Sequence, residues 1–364
     1  MKKALGIFLA LVMFTLTFAG CRALVGYRVT PTETPGESAI SSPSESPVET
    51  PVETVSSSPG IAGETLVFGF AIPEMATAGF KAIANGVLVY AEQVGVELIV
   101  VESGFDAALQ ISQIEELIVE GVDAIVLCPA DSGALGTVVA QANEADVPVV
   151  CMDRGVTSGD IVGLVLADNA EFGYQAGLYM AEAAQKAGIA LSALRILELQ
   201  GDLATSAGQE RSEGFQRACE ERGMTIAASV PTYWDPDEAY TATLDAFQAH
   251  PSINAIFEAS DSLMCASVSA ALDELGKSDP VGHRDHILVA TVDGSPNVID
   301  ALKSGAVDVT AAQNLLGYGK VAVDWAIAAV MGEIATDANE VRKLGPIKTT
   351  IDNADSEELW ANAI

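Results

Sequence analysis

Several polar side chains in this sequence stand directly after apolar, β-branched runs, where packing alone gives no reason for a charge. Asp153 and Arg154 follow VPVVCM (147–152), and Arg211 lies early in the amphipathic stretch after LRILEL (194–199). Ser260 comes just after NAIFE (254–258), Asp293 follows ILVATV (287–292), and the run VDVTA (307–311) leads into Gln313. Aromatic residues occupy similar places: Phe80 after TLVFGFA (65–71), and Trp234, beside Tyr233, after MTIAASV (224–230). Gathered at one mouth, these residues supply carboxylates, guanidinium forks, a side-chain amide and flat rings. A sugar needs that set. Its vicinal hydroxyls take charge-assisted, bidentate hydrogen bonds, and its C–H faces lie on aromatic rings without competing for the hydroxyls. Each residue also has a plainer reading: Arg211 could balance Glu210 and Glu213 on a helix surface, Asp293-Gly294 could be a turn, and Phe80 and Trp234 could pack a core.

The elements that must position these residues are legible as a repeat. Apolar runs at 65–71, 97–101, 123–127, 147–152, 161–165, 194–199, 224–230, 254–258, 287–292 and 307–311 alternate with helical patterns at 79–94, 107–120, 132–145, 170–188, 206–222, 236–248, 262–275 and 315–332. Continuous apolar strands alternating with helices predict parallel sheets covered on both faces. The pattern restarts after residue 168, and 364 residues exceed what one core usually serves, so the expected fold is α/β with two Rossmann-like, doubly wound lobes. In such sheets ligands bind beyond the carboxyl ends of the strands, where the residues above sit. Asp131 and Ser132 read as helix N-caps.

The ends of the chain carry other information. Lys2 and Lys3 precede the apolar run ALGIFLALVMFTLTF, which closes on Ala19, Gly20 and Cys21. A basic start, a short apolar stretch and small residues describe a secretory signal over 1–20. The run F-A-G-C resembles the lipobox of bacterial lipoproteins, which implies lipidation of Cys21 and attachment to a membrane. Between Pro31 and Pro59 lie six Pro, eight Ser, four Thr and five Glu, with no Lys or Arg. Such a composition cannot bury enough apolar area to offset its chain entropy, so 21–64 is expected to be a disordered tether.

Charge and motif content narrow the function classes. Eighteen Lys and Arg against 50 Asp and Glu give a net charge of −32, which argues against nucleic acid, a polyanion that needs a basic footprint. There is no strand-linked G-x-G-x-x-G, Walker A, G-x-S-x-G or H-E-x-x-H, and no Cys has a His near it in sequence. No catalytic residue and no cofactor is therefore expected. His283 and His286 share the polar loop SDPVGHRDH; two imidazoles without a third ligand read as an exposed loop, and no metal is expected. Cys128 and Cys151 end neighbouring apolar runs and read as reduced core thiols, with a bridge between them left open.

Four segments together carry a family resemblance: ADSGALGTVVAQANEADVPVVCMDR, ADNAEFGYQAG, LQGDLATSAGQERSEGF and VATVDGSPNVIDALKSG. From about Thr65 to Ile351 the chain resembles the type I periplasmic binding proteins, the ribose/galactose-type substrate-binding subunits of ABC importers. The resemblance implies two lobes joined by a three-segment hinge, with crossings near Asp168, Gln313 and Arg342. Lobe one would comprise 65–167 plus 314–342, lobe two 168–313 plus 343–351, and 352–364 a C-terminal tail. It further implies that Asp153, Arg154, Arg211, Asp293 and Gln313 bind hydroxyls and that Phe80 and Trp234 stack on the sugar. Thr77 and Ser260 stand where ribose-type members usually carry Asn, Gly79 where they carry Phe, and Val292 where they carry an aromatic residue. The charged clamp is complete while the walls are smaller, which points away from plain ribose towards a bulkier or differently substituted sugar or polyol.

The implied function is a monomeric, lipid-anchored, extracytoplasmic sugar-capture protein that delivers its ligand to the membrane subunits of an ABC permease. The alternative from the same site is a sensory protein presenting the sugar to a chemoreceptor or histidine kinase. An exported enzyme is disfavoured for want of a nucleophile–base pair or a metal set.

Overall fold

A computed structural model describes residues 26–31 and 65–364. The signal segment 1–20, the lipidation candidate Cys21 and most of the tether lie outside the described residues. Two sheets divide the chain. The first contains β1 (Gly26–Val29), β2 (Val67–Ile72), β3 (Glu97–Glu102), β4 (Ala124–Leu127), β5 (Val149–Met152), β6 (Gly163–Ala167) and β12 (Glu340–Leu344), in the order β1-β3-β2-β4-β5-β6-β12. The second contains β7 (Arg195–Gln200), β8 (Thr225–Pro231), β9 (Ala255–Glu258), β10 (Leu288–Asp293), β11 (Val309–Ala312) and β13 (Ile347–Thr349), in the order β13-β11-β10-β9-β7-β8. All neighbours are parallel except the edge strands β1 on β3 and β13 on β11. Stripped of edge strands, each sheet has the doubly wound order 2-1-3-4-5, in which the ligand crevice opens at the carboxyl ends of the strands.

Nine helices cover the described sheets: α1 (Ala78–Val94), α2 (Ala107–Glu120), α3 (Gly136–Glu144), α4 (Asn169–Lys186), α5 (Ser206–Arg222), α6 (Pro236–Ala249), α7 (Asp261–Glu274), α8 (Pro296–Ser304) and α9 (Leu315–Val330). Side-chain alternation along the strands feeds separate cores. On β4 and β5, Val126, Cys128, Val150 and Met152 enter one face, while Ile125, Leu127, Val149 and Cys151 enter the other. Cys128 and Cys151 therefore point to opposite faces of adjacent strands, and both are free thiols. No bridge can join them in this fold.

The chain passes between the lobes three times. After β6 of the first sheet, α4 packs against β10 and β11 of the second. After β11, α9 returns to pack on α1, β4, β5 and β6. The third passage, expected near Arg342, instead lies at 345–346, because β12 keeps its parallel register with β6 through the pair Leu344 and Ala167.

Three further expectations are corrected. Gly26–Val29, assigned to the tether, is a strand that covers the open edge of β3, and Arg28 Nε pairs with Glu97 Oε1 at 2.8 Å. An exposed strand edge offers unpaired backbone groups, which β1 satisfies. Residues 352–364 are not a tail, since Leu359 and Trp360 are buried. Helix α3 begins at Gly136 rather than 132, because Asp131 Oδ1 accepts from the Gly133 and Ala134 N–H groups and holds a turn there.

Candidate functional site

The lobe-two half of the site is one connected network. Helices α4 and α5 approach so closely that a Cβ on Gly173 would lie 1.9 Å from the carbonyl oxygen of Arg211. That contact fixes the backbone from which Arg211 reaches the carboxyl ends of the strands. Its Nη1 donates to Asp293 Oδ1 at 2.8 Å and to the Ala259 carbonyl at 2.7 Å, and its Nε donates to Asn169 Oδ1 at 2.9 Å. Gln313 Nε2 donates to Asp293 Oδ1 at 2.7 Å, and Ser260 Oγ donates to Asp293 Oδ2 at 2.5 Å. Trp234 completes the group, its ring centroid 5.9 Å from the Arg211 Cζ.

Asp293 has φ 114°, a conformation that costs energy for a residue with a side chain. The turn is held from behind by Asp261. Its Oδ2 accepts from Thr291 Oγ1, the Gly294 N–H and Thr310 Oγ1 at 2.8–2.9 Å, and its Oδ1 accepts from the Ser295 N–H at 2.9 Å. Burial, then the charge of Asp293, pushes the Asp261 carboxyl up to about 6. From the other side, Trp360 Nε1 donates to the Asp293 carbonyl at 2.7 Å.

The lobe-one half is more open. Asp153, at φ 65°, begins the turn after β5. Arg154 donates to its neighbour's Oδ2 from Nε at 3.2 Å and from Nη2 at 3.1 Å, with its side chain 40% exposed. Desolvation raises the Asp153 pKa, and the Arg154 guanidinium opposes that shift. The Arg154 Cζ lies 5.7 Å from the centroid of Phe80, and Phe105 meets Phe80 edge-on at 5.4 Å. Thr77 joins neither cluster. It is exposed at the N-cap of α1, where its N–H donates to the Glu74 carboxylate at 3.2 Å.

Tyr318, buried on α9, is within electrostatic reach of both halves. Its hydroxyl is held far above the usual range, first by burial, with Asp153 from one lobe and Arg211 and Asp293 from the other acting on it. No hydrogen bond among the described residues joins the two clusters directly. The arrangement is thus two polar half-sites, each with an Arg, an Asp and an aromatic ring.

Asn169, Phe105, Tyr318 and Trp360 were not singled out by sequence. Asn169 carried a weak signal, since it lies inside ADNAEFGYQAG directly after a strand. The loop histidines also differ from expectation. His286 is half-buried rather than exposed, with Nε2 2.9 Å from Asp308 Oδ2 and Nδ1 2.6 Å from the Asp279 carbonyl. His283 pairs with Asp279 instead, and with Asp285 these two bring single ligand atoms within 4.8 Å of one another on a more exposed surface.

Comparison with known proteins agrees with this fold. The chain is 32% identical over 254 residues to the ribose import binding protein of Salmonella typhimurium, covering 70% of this chain and 81% of that protein. It is 29% identical over 245 residues to the Bacillus subtilis protein of the same name, covering 67% and 75% respectively. An ABC transporter periplasmic solute-binding protein of Actinobacillus succinogenes, solved with bound D-allose, superposes with TM-score 0.64 at 23% identity, covering 80% of this chain and 99% of the other. The family model for the periplasmic binding protein domain matches residues 68–334, and the chain belongs to that family.

Proposed function

We propose that the protein captures a monosaccharide or related cyclic polyol between its lobes, without turnover, and passes it to the membrane subunits of an ABC permease. The observation that carries this reading is the pair of polar clusters beyond the carboxyl ends of the two sheets: Asp153, Arg154 and Phe80 on one lobe, and Arg211, Asp293, Ser260 and Trp234 on the other, with Gln313 at a crossing. The Arg211 Nη2 and Arg154 Nη1 groups have no hydrogen-bond partner among the described residues, so each guanidinium keeps donors for a ligand hydroxyl. Asp153 Oδ1 likewise keeps an acceptor. Binding that bridges two lobes favours their closed arrangement only by the difference in affinity between closed and open states, and a ligand touched from both sides supplies that difference. The relatives above bind ribose or D-allose by name. The small residue Gly79, whose Cβ would meet nothing closer than Leu315 Cδ1 at 4.0 Å, supports a bulkier sugar than ribose.

The signal-like start and Cys21 support export and a lipid anchor, with the monomeric body held off the membrane. No described helix is long and apolar enough to cross a membrane. The net charge of −32 would not itself adhere to an anionic bilayer, so acyl chains would have to supply the attachment.

Native mass spectrometry of the purified chain, followed by a thermal-shift panel of pentoses, hexoses and cyclitols, tests the reading. A neutral polyhydroxylated ligand in the released fraction is the expected result. A panel in which no sugar raises the melting temperature would refute the function, and ribose as the tightest ligand would refute the larger pocket.

A further inference from the structure

The two lobes repeat one loop. In lobe one, β3 leads through Ser103, Gly104 and Phe105 to Asp106, the N-cap of α2; in lobe two, β8 leads through Thr232, Tyr233 and Trp234 to Asp235, the N-cap of α6. Two successive residues in each loop take left-handed backbone, Gly104 and Phe105 at φ 59° and 63°, Tyr233 and Trp234 at 55° and 62°. The N–H of each capping Asp donates back to the carbonyl three residues earlier, Asp106 to Ser103 at 3.0 Å and Asp235 to Thr232 at 2.8 Å. Each capping carboxylate then accepts from the N–H groups two and three residues on, in the first turn of its helix. The strands before the loops, β3 and β8, hold the same place in their sheets. Phe105 therefore stands in lobe one where Trp234 stands in lobe two.

The surroundings of the two rings match as well. Trp234 lies beside Arg211, while Phe105 packs edge-on against Phe80, which in turn faces Arg154. Phe105 is 49% exposed, and left-handed backbone is unfavourable for an aromatic residue. A core role explains neither feature, because the ring is held out of the core at an energetic cost. A Cβ on Gly79, next to Phe80 in sequence, would meet nothing closer than Leu315 Cδ1 at 4.0 Å, so the space around Gly79 is open.

We propose that Phe105 is a second ligand-contacting ring of lobe one, beside Phe80 and in the place that Trp234 holds in lobe two, so that the apolar surface offered to the bound molecule extends beyond Phe80. This rests on the sugar-binding reading and narrows it. Two rings favour a ligand whose C–H groups form a face, a closed sugar ring, over an open-chain polyol that presents no flat side.

The test uses the full chain, titrated calorimetrically with D-allose, D-ribose and xylitol. Asn accepts left-handed backbone, so Phe105→Asn removes the ring while keeping the turn. It is expected to weaken binding of the cyclic sugars by about tenfold and that of xylitol much less, with the melting temperature of the free protein unchanged. Phe105→Tyr should bind as the wild type does. Phe105→Trp adds a fourth indole to the three present, and its emission, taken as the difference from wild type, should change when sugar binds. Cyclic-sugar affinity that survives Phe105→Asn, or a difference emission of Phe105→Trp that is blind to ligand, overturns the proposal and leaves the sugar-binding reading standing. A wild type that binds neither these probes nor any sugar of the wider panel of pentoses, hexoses and cyclitols removes both.

Discussion

A Cβ on Gly201 would lie 2.0 Å from the Cη2 atom of Trp234. The indole can occupy its place beside Arg211 only because β7 is followed by a residue without a side chain. Gly201→Ala is accordingly expected to displace the ring, at a cost of about 1–3 kcal/mol in folding stability. It should also lower sugar affinity by at least as much as loss of the ring itself. Titration of Gly201→Ala against Trp234→Ala checks this, and an alanine variant with wild-type affinity would show that the ring is not used.

Arg154 and Arg211 should fail in different ways. Arg154 bonds a sequence neighbour and is 40% exposed, whereas the Arg211 and Asp293 side chains are only 8% and 7% exposed. Breaking an exposed pair costs about 1 kcal/mol or less, while removing one partner of a buried pair costs about 3–5 kcal/mol. Arg154→Ala should therefore abolish sugar binding at almost unchanged melting temperature. Arg211→Ala should lose binding and much of the stability of lobe two together. Chemical denaturation with calorimetry separates the cases, and equal destabilisation by the two substitutions would contradict the geometry.

The contrast between these arginines also shows what the chain's order of residues can and cannot reveal. Apolar runs alternating with amphipathic stretches were enough to locate β2 to β11, because most are buried on both faces and so read as continuous hydrophobic sequence, while the half-buried β8 still carries the apolar run MTIAASV. Strand β12 was missed for the converse reason: its EVRKL is mostly exposed and carries no apolar signal. Position after a strand was enough to nominate Asp153, Arg154, Arg211 and Asp293. Their partnerships were not legible, because Arg211 and Asp293 are 82 residues apart and meet only once two separate strand–helix units share a sheet. Trp360 lay beyond the last periodic element, where no pattern could connect it to Asp293. Phe105 was within reach, since aligning the two halves of the chain places it opposite Trp234.

Asp261 positions Asp293 without lying in the cleft itself. Above its pKa of about 6 the ionised carboxylate accepts four hydrogen bonds, two of them from the Gly294 and Ser295 N–H groups that complete the Asp293 turn. Asp261→Asn replaces one acceptor oxygen with an NH2 group that faces donors, leaving buried groups unpaired at about 1–3 kcal/mol. Reduced stability and weaker sugar binding are both expected at pH 7. A variant that is destabilised but binds with wild-type affinity would confine Asp261 to folding.

The His286 ring gives a pH dependence of defined sign. Both of its nitrogens face acceptors, the Asp279 carbonyl and the Asp308 carboxylate, so both must carry protons for the two bonds to exist together. Burial alone lowers the pKa, but hydrogen bonding to Asp308, its charge and the Asp279 contacts outweigh burial, and the net shift is upward from 6.5. The folded chain thus retains a proton that the unfolded chain releases. Its contribution to stability is complete below the unfolded value and is lost as pH rises through the folded one. The melting temperature should fall from pH 6.5 to 8.5 by more in wild type than in His286→Asn, which cannot titrate. Asp308 also accepts from the Val289 N–H at 2.8 Å, so weakening of the ion pair loosens the start of β10 rather than freeing the carboxylate. The exposed His283–Asp279 pair is present in both proteins and cancels in the difference. Parallel curves for the two proteins would mean that the ring is neutral in the fold and that one of the two short contacts is not a hydrogen bond.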